Sequence, residues 1–227
     1  MKIGGLERCS LIDYPGKVAA IVFTIGCNFR CPYCHNPELV DETASSLSEE
    51  SILHFLMSRK GLLDAVTITG GEPTMHEDLL RFIRSIRALG FLVKLDTNGT
   101  NPQMLASLIQ ENLLDYIAMD IKAPLTSYGK IVGRPAHTEN IRKSLTLLME
   151  SGVPYEFRTT VVRALLSPED FDSIGEDIRG AHRYYLQKFV PTKILNPAFI
   201  RKSTYNDDEF ERIRARMETY VDQCSIR

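Results

Sequence analysis

Gly26-Cys27-Asn28-Phe29-Arg30-Cys31-Pro32-Tyr33-Cys34-His35-Asn36 sets three cysteines within eight residues, with three and then two residues between them. The apolar run 18–25 leads directly into it. Gly26, Asn28, Pro32 and Asn36 are turn formers, so the run reads as a strand and the thiols as a tight loop at its end. Three thiolates from one short loop suit a polynuclear metal centre. A closed zinc site takes four ligands, and a fully ligated iron–sulfur cubane takes four cysteines. Three leave one coordination position free, so that an iron can bind a substrate or cofactor directly. The competing reading is a structural zinc site with His35 as fourth ligand. Adjacency to Cys34 makes that pairing on one small ion geometrically awkward.

Outward from this loop, strand and helix patterns alternate. After the strand at 18–25 the spacing predicts a helix at 47–59, a strand at 65–69, a helix at 77–89, a strand at 91–95 and a helix at 102–112. Strands at 116–121, 155–162 and 185–190 then alternate with helices at 138–150, 168–179 and 207–221. Six strands joined through helices imply an α/β fold with a parallel sheet and right-handed crossovers. A complete eight-unit barrel takes about 250 residues. The 227 residues here suit six units, a partial (βα)6 TIM-like barrel folded as a single domain, 1–227. Functional groups of such a sheet collect at the C-terminal ends of its strands.

The bulk composition is that of a globular chain, 44% hydrophobic and 25% charged, with a formal net charge of −2. No basic field advertises a nucleic-acid partner. Apolar stretches are strand-sized, so no membrane span is expected. The N-terminal residues lack the apolar core of a signal peptide. A cytoplasmic location follows, where clustered thiols bind metal more often than they form disulfides. Of the five cysteines, Cys9 and Cys224 stand alone and read as packing residues or incidental thiols.

The strand ends carry the remaining candidates. Thr69-Gly70-Gly71-Glu72-Pro73 offers two glycines that admit a ligand close to the backbone, and a carboxylate that accepts from an ammonium. Asp96-Thr97-Asn98-Gly99 contains a strong turn signal. Met119-Asp120-Ile121-Lys122 ends the next strand. Arg158 is positioned to meet a carboxylate bidentately or to make an ordinary salt bridge.

Cys27-x-x-x-Cys31-x-x-Cys34, with an aromatic residue before the last cysteine, resembles the signature of the radical S-adenosylmethionine (SAM) enzymes. Gly4-Gly5-Leu6 and Leu11-Ile12-Asp13-Tyr14-Pro15-Gly16-Lys17, followed by the cysteine loop and Pro37-Glu38-Leu39-Val40, is similar to the activating proteins of glycyl-radical enzymes. The likeness is greatest to those of anaerobic ribonucleoside-triphosphate reductase. It implies the radical SAM fold, with Cys27, Cys31 and Cys34 holding a [4Fe-4S] cluster whose fourth iron chelates SAM. It further implies reduction by flavodoxin or ferredoxin, cleavage of SAM to methionine and a 5′-deoxyadenosyl radical, and removal of hydrogen from a glycine of the partner enzyme.

By the same resemblance Tyr33 and His35 line the adenine, and the Gly70-Gly71-Glu72 run belongs to the motif that holds the methionine amino group, with Gly71 contacting the cofactor and Glu72 helping to order the loop. Lys122 contacts the cofactor, and Arg158 is a further candidate cofactor contact by its strand position. Asp96, Thr97 and Asp120 form a candidate monovalent-cation site beside the SAM carboxylate. Lys193 or Thr192 stands where related activators carry a cofactor-touching histidine. Tyr14 replaces the glycine of an Asp-Gly-Pro-Gly rim motif, and the ferredoxin-like insertion of some activators is absent. The alternatives are an activase of pyruvate formate-lyase or another glycyl-radical enzyme, a small-molecule radical SAM enzyme such as a deazapurine synthase, and a non-catalytic zinc-binding interaction module.

Overall fold

The computed structural model describes residues 1–227. Eight strands lie in one sheet in chain order: β1 (Ile3–Ser10), β2 (Ala19–Thr24), β3 (Ala65–Gly70), β4 (Leu92–Thr97), β5 (Tyr116–Asp120), β6 (Tyr155–Val161), β7 (Tyr184–Lys188) and β8 (Cys224–Ile226). β1 pairs antiparallel with β2, and every later pair is parallel. β2 to β7 are the six expected strands. The expected partial barrel is thus flanked by two strands that the sequence pattern did not reveal. β1 holds two glycines and exposes most of its second half, so it lacks the alternation of a half-buried strand. β8 has only three residues, too short to show a period.

The helices fall close to the expected spans: α2 (Glu49–Ser58), α3 (Leu79–Ala88), α4 (Pro102–Gln110), α6 (Thr138–Glu150), α7 (Asp170–Asp177) and α8 (Asp207–Met217). Caps explain several starts. Ser48 Oγ accepts from Ser51 N at 3.1 Å, and Asn206 and Glu209 form a reciprocal capping box before α8. Two short helices were missed, α1 (Pro37–Val40) and α5 (Tyr128–Val132). Each is barely a turn long, below the length at which a helical period is legible.

Alternation along the strands gives the sheet two unlike faces. Val66, Ile68, Val93, Leu95, Ile117, Met119, Phe157 and Leu186 join one core with buried helix residues such as Phe82, Leu105, Leu145, Phe171 and Phe210. The opposite, inner face carries Thr67, Lys94, Asp96, Asp120, Glu156 and Arg158. Tyr14 closes one end of it. Its ring lies 5.9 Å from that of Tyr116 in a small cluster with Ala19 and Ala65. The residue that departs from the rim motif is therefore a packing residue. Cys224 is buried in β8 and Cys9 is exposed. No helix is long and apolar enough to cross a membrane.

Phe157 is fully buried, so Phe157→Ala is expected to cost about 3–5 kcal/mol. Leu62, 66% exposed, should lose no more than about 0.5 kcal/mol on the same change. Urea denaturation measures both.

Candidate active site

The cysteine loop leaves the end of β2 and is pinned by its neighbours. Gly26 N donates to Leu39 O (2.8 Å), Arg30 N to Val132 O (2.8 Å), Leu195 N to Cys34 O (2.9 Å) and Asn196 N to Pro32 O (3.0 Å). The short helices α1 and α5 and the segment after β7 thus hold the loop. His76 adds an anchor, its Nε2 lying 3.1 Å from Ile25 O.

One open cavity, about 860 Å³ including its mouth, brings together Cys27, Cys31, Tyr33, Cys34, His35, Gly70, Gly71, Glu72, Asp96, Thr97, Asp120 and Lys122. These residues come from four segments far apart in sequence. Phe29, Asn36, Val40, Thr69, Asn98 and Thr160 also line it and were not singled out from sequence. For Asn98 the signal was its place beside Thr97; Thr160 gave none. Lys193 lies elsewhere, 65% exposed and 2.8 Å from Glu38 Oε2. Arg158 does not line this cavity either.

The glycines work by close approach. A Cβ on Gly71 would lie 1.9 Å from Gly26 O, and Gly70, at φ +117°, has Thr24 N at 2.3 Å from its own ideal Cβ position. Gly71 N and Glu72 N donate to Thr24 O and Gly26 O, each at 2.8 Å. The loop after β3 is therefore seated directly on the root of the cysteine loop.

Glu72 is 1% exposed and both its oxygens are taken. Oε1 accepts from Thr74 N (3.1 Å), Thr74 Oγ1 (2.5 Å) and Thr97 Oγ1 (2.7 Å), and Oε2 from Asn98 N (2.7 Å). Burial pushes its carboxyl up, against these hydrogen bonds. The side chain ties the loop after β3 to the end of β4 and has little capacity left for a ligand.

A charge network lies below. Arg158 Nε donates to Asp120 Oδ1 (2.9 Å) and its Nη1 to Asp96 Oδ2 (3.2 Å). Lys94 Nζ pairs with the other Asp96 oxygen, and Lys122 Nζ lies 2.9 Å from Asp120 Oδ2. All four carboxylate oxygens thus face cations of the chain itself. The charge balance for which a monovalent cation was expected is already supplied. Burial alone would raise the Asp120 carboxyl, but Arg158 and Lys122 outweigh it and hold it down at about 2. Arg158 takes neither expected option: it bridges two carboxylates with one nitrogen each, and Glu156 is held by Tyr116 and Arg227.

The donor chemistry fits a cluster. Burial pushes the Cys27 thiol up to about 12, Cys31 to about 11, and Cys34 upward too. Such thiols stay protonated until a metal ion displaces the proton. No group of three or more His, Cys, Asp or Glu side chains converges as the ligands of a single ion do; the thiols are spread around a common cavity. The buried Tyr33 hydroxyl among them has no partner. His35 Nε2 lies 2.8 Å from Val190 O, and its ring packs 5.8 Å from Phe189.

The model of the radical SAM superfamily matches residues 21–179, a span that contains the cysteine loop and most of this cavity. The chain belongs to the radical SAM superfamily. It is 33% identical over 99% of its length, and 95% of the relative's, to a Methanocaldococcus jannaschii protein named as a candidate glycyl-radical enzyme activating enzyme. A Pyrococcus abyssi protein given a provisional GTP 3′,8-cyclase name is 28% identical over 89% of the chain and 69% of that protein. Among solved structures, SuiB of Streptococcus suis bound to S-adenosylmethionine aligns with a TM-score of 0.66 at 14% identity, covering 89% of this chain and 48% of SuiB. That likeness concerns the fold alone. This radical SAM enzyme accordingly uses a [4Fe-4S] cluster and SAM.

Three outcomes follow from the geometry. Glu72→Gln puts an amide N–H₂ among four donors and should cost about 1–3 kcal/mol in urea denaturation. Gly71→Ala drives a methyl group into the Gly26 carbonyl, so iron and sulfide bound after anaerobic reconstitution should fall well below the wild-type content. The Asp120 contribution to stability is present above its unfolded value of 3.8 and is lost as pH falls toward about 2. Arg158→Met should shrink that acid-sensitive component, leaving the share held by Lys122, and at pH 7 should cost up to about 3–5 kcal/mol, because each aspartate keeps only one of its two cations.

Proposed function

We propose that this enzyme installs a glycyl radical on a partner protein, anaerobic ribonucleoside-triphosphate reductase. In this reading Cys27, Cys31 and Cys34 hold the cluster, and Gly70 and Gly71 leave room for the methionine end of SAM against the backbone. Tyr33 and His35 flank the adenine, while Lys122 and the Arg158-held carboxylates of Asp96 and Asp120 border the amino-acid end. Bound together, cluster and SAM supply a 5′-deoxyadenosyl radical after one-electron reduction, for which flavodoxin or ferredoxin is the proposed donor. The pinned loops keep the site ordered and limit access of water. Because Arg158 and Lys94 neutralise the two aspartates, added potassium or sodium is dispensable on this reading.

The carrying observation is a second cavity, about 1020 Å³ including its mouth, lined by Ile12, Asp13, Pro15, Lys94, Glu156, Arg158, Gln187 and Arg227. It shares a wall with the first, since Lys94 and Arg158 bind the carboxylates that line the cofactor side. Every cation lining it is already paired, Arg227 with Glu156 at 2.9 Å. A triphosphate entering here would have to compete with those pairs for their cations. A neutral stretch of peptide would not. Leu11 and Ile12 stand 73% and 88% exposed at the rim, as an apolar contact for a protein partner requires. This favours a polypeptide over the nucleotide that the name of the Pyrococcus relative suggests.

The reduced enzyme should therefore generate a glycyl-radical signal, by electron paramagnetic resonance, on anaerobic ribonucleoside-triphosphate reductase. Consumption of GTP with no radical on any glycyl-radical enzyme would overturn the proposal. Ile12→Asp should leave SAM cleavage by dithionite unchanged and reduce radical yield about tenfold, the effect of losing about 1.4 kcal/mol of contact.

A further inference from the structure

Three buried polar side-chain atoms have no hydrogen-bond partner: Tyr33 Oη, Glu38 Oε2 and Thr67 Oγ1. Glu38 Oε2 faces Lys193 Nζ at 2.8 Å, and Thr67 lies outside the lining of the cofactor cavity. Tyr33 alone is both orphaned and part of that lining. It is 4% exposed, so water does not satisfy it. Four other buried tyrosines are satisfied. Tyr116 donates to Glu156 (2.9 Å), Tyr128 to Asp120 O (3.3 Å), Tyr184 to Thr159 (2.7 Å) and Tyr205 to Leu166 O (2.7 Å).

An unmade hydrogen bond on a buried hydroxyl costs about 1–3 kcal/mol. A phenylalanine would pack on Phe189, the ring 6.4 Å away, without that cost. The oxygen therefore has a use beyond packing. Its surroundings indicate which. The charges that bear on it, after burial itself, come first from Cys31 and then from Lys122. Cys31 in turn is the thiol that the Tyr33 hydroxyl approaches as a donor, which lowers its hold on its proton, although the two do not meet in full hydrogen-bond geometry. Lys122 is a cation and offers no acceptor. Tyr128 has its hydroxyl engaged with Lys122 N at 3.0 Å and with Asp120 O. Asp120 has both oxygens on Arg158 and Lys122, so of the groups that bear on the hydroxyl the acceptor still available is sulfur.

We propose that the Tyr33 hydroxyl donates a hydrogen bond to the sulfur of Cys31, or to a cluster sulfide beside it, and thereby raises the reduction potential of the bound cluster. Reduction adds one negative charge, and a donor dipole fixed on sulfur stabilises the more negative state. Tyr33 is in this respect a positioning residue for charge, separate from any contact of its ring with adenine. The inference rests on the cluster that family membership brings and not on which partner protein is activated. A titration without partner or SAM therefore tests it independently of the proposed function.

Wild type and Tyr33→Phe are reconstituted anaerobically and titrated without SAM, the reduced cluster being followed by electron paramagnetic resonance. At the wild-type midpoint, the reduced-to-oxidised ratio of the variant should fall about threefold or more, a shift of roughly 30 mV or more at 59 mV per decade. The cluster-free variant should melt at the same temperature or higher, because an unsatisfied hydroxyl has been removed. An unchanged midpoint at full iron content, a shift seen only with SAM, or a destabilised cluster-free variant would each overturn the proposal. If Tyr33→Phe takes up no cluster, 3,5-difluorotyrosine at position 33, a stronger donor, should move the midpoint upward, and no movement would overturn it.

Discussion

A buried carboxylate with four donors holds the active end of this molecule together. Glu72 accepts from Thr74, Thr97 and the backbone of Asn98, while its own N–H donates to Gly26 O, immediately before Cys27. Strand ends in a parallel sheet are otherwise free to splay. Here the ends of β2, β3 and β4 are fastened through one side chain and one peptide, and the cysteine loop inherits its position from them. Placement so close also requires that Gly71 carry no side chain. The chemistry asks for thiols fixed around an open cavity, and this knot fixes them.

Below the knot, charge is managed by the chain itself. The inner face of the sheet carries a polar array instead of the branched apolar layers that fill a closed barrel. Arg158 joins β4, β5 and β6 through Asp96 and Asp120, so the wall between the two cavities is an ion-pair lattice. Buried pairs of this kind contribute little net stability but penalise the loss of one member. That property keeps the wall rigid and its cations unavailable to a phosphate-bearing ligand. Under the proposed function the upper cavity takes the cofactor and the lower one a polypeptide.

Much of this was legible in the residues. The cysteine spacing, the Gly-Gly-Glu-Pro loop, Asp96 and Asp120 all fell at strand ends because the strand–helix alternation was strong in β2 to β7. β1 and β8 were not legible, the one glycine-rich and half exposed, the other three residues long. Side-chain direction was the other blind spot. Sequence spacing could not reveal that Glu72 spends its oxygens on threonines, that Arg158 turns away from the cofactor cavity toward two aspartates, or that Lys193 points to Glu38 on the surface. Thr160 entered the cavity through tertiary placement alone. Tyr14 read as a change in a docking motif and proved to be a buried ring against Tyr116.

The central claim is that Cys27, Cys31 and Cys34 hold a cluster with one iron left for SAM. It is tested most directly by supplying dithionite and SAM to the anaerobically reconstituted protein and measuring 5′-deoxyadenosine against bound iron and sulfide. The account predicts four irons and four sulfides per cluster, with 5′-deoxyadenosine formed by wild type and abolished by alanine at any of the three cysteines. One zinc per chain without sulfide, or a full cluster that forms no 5′-deoxyadenosine, would contradict it.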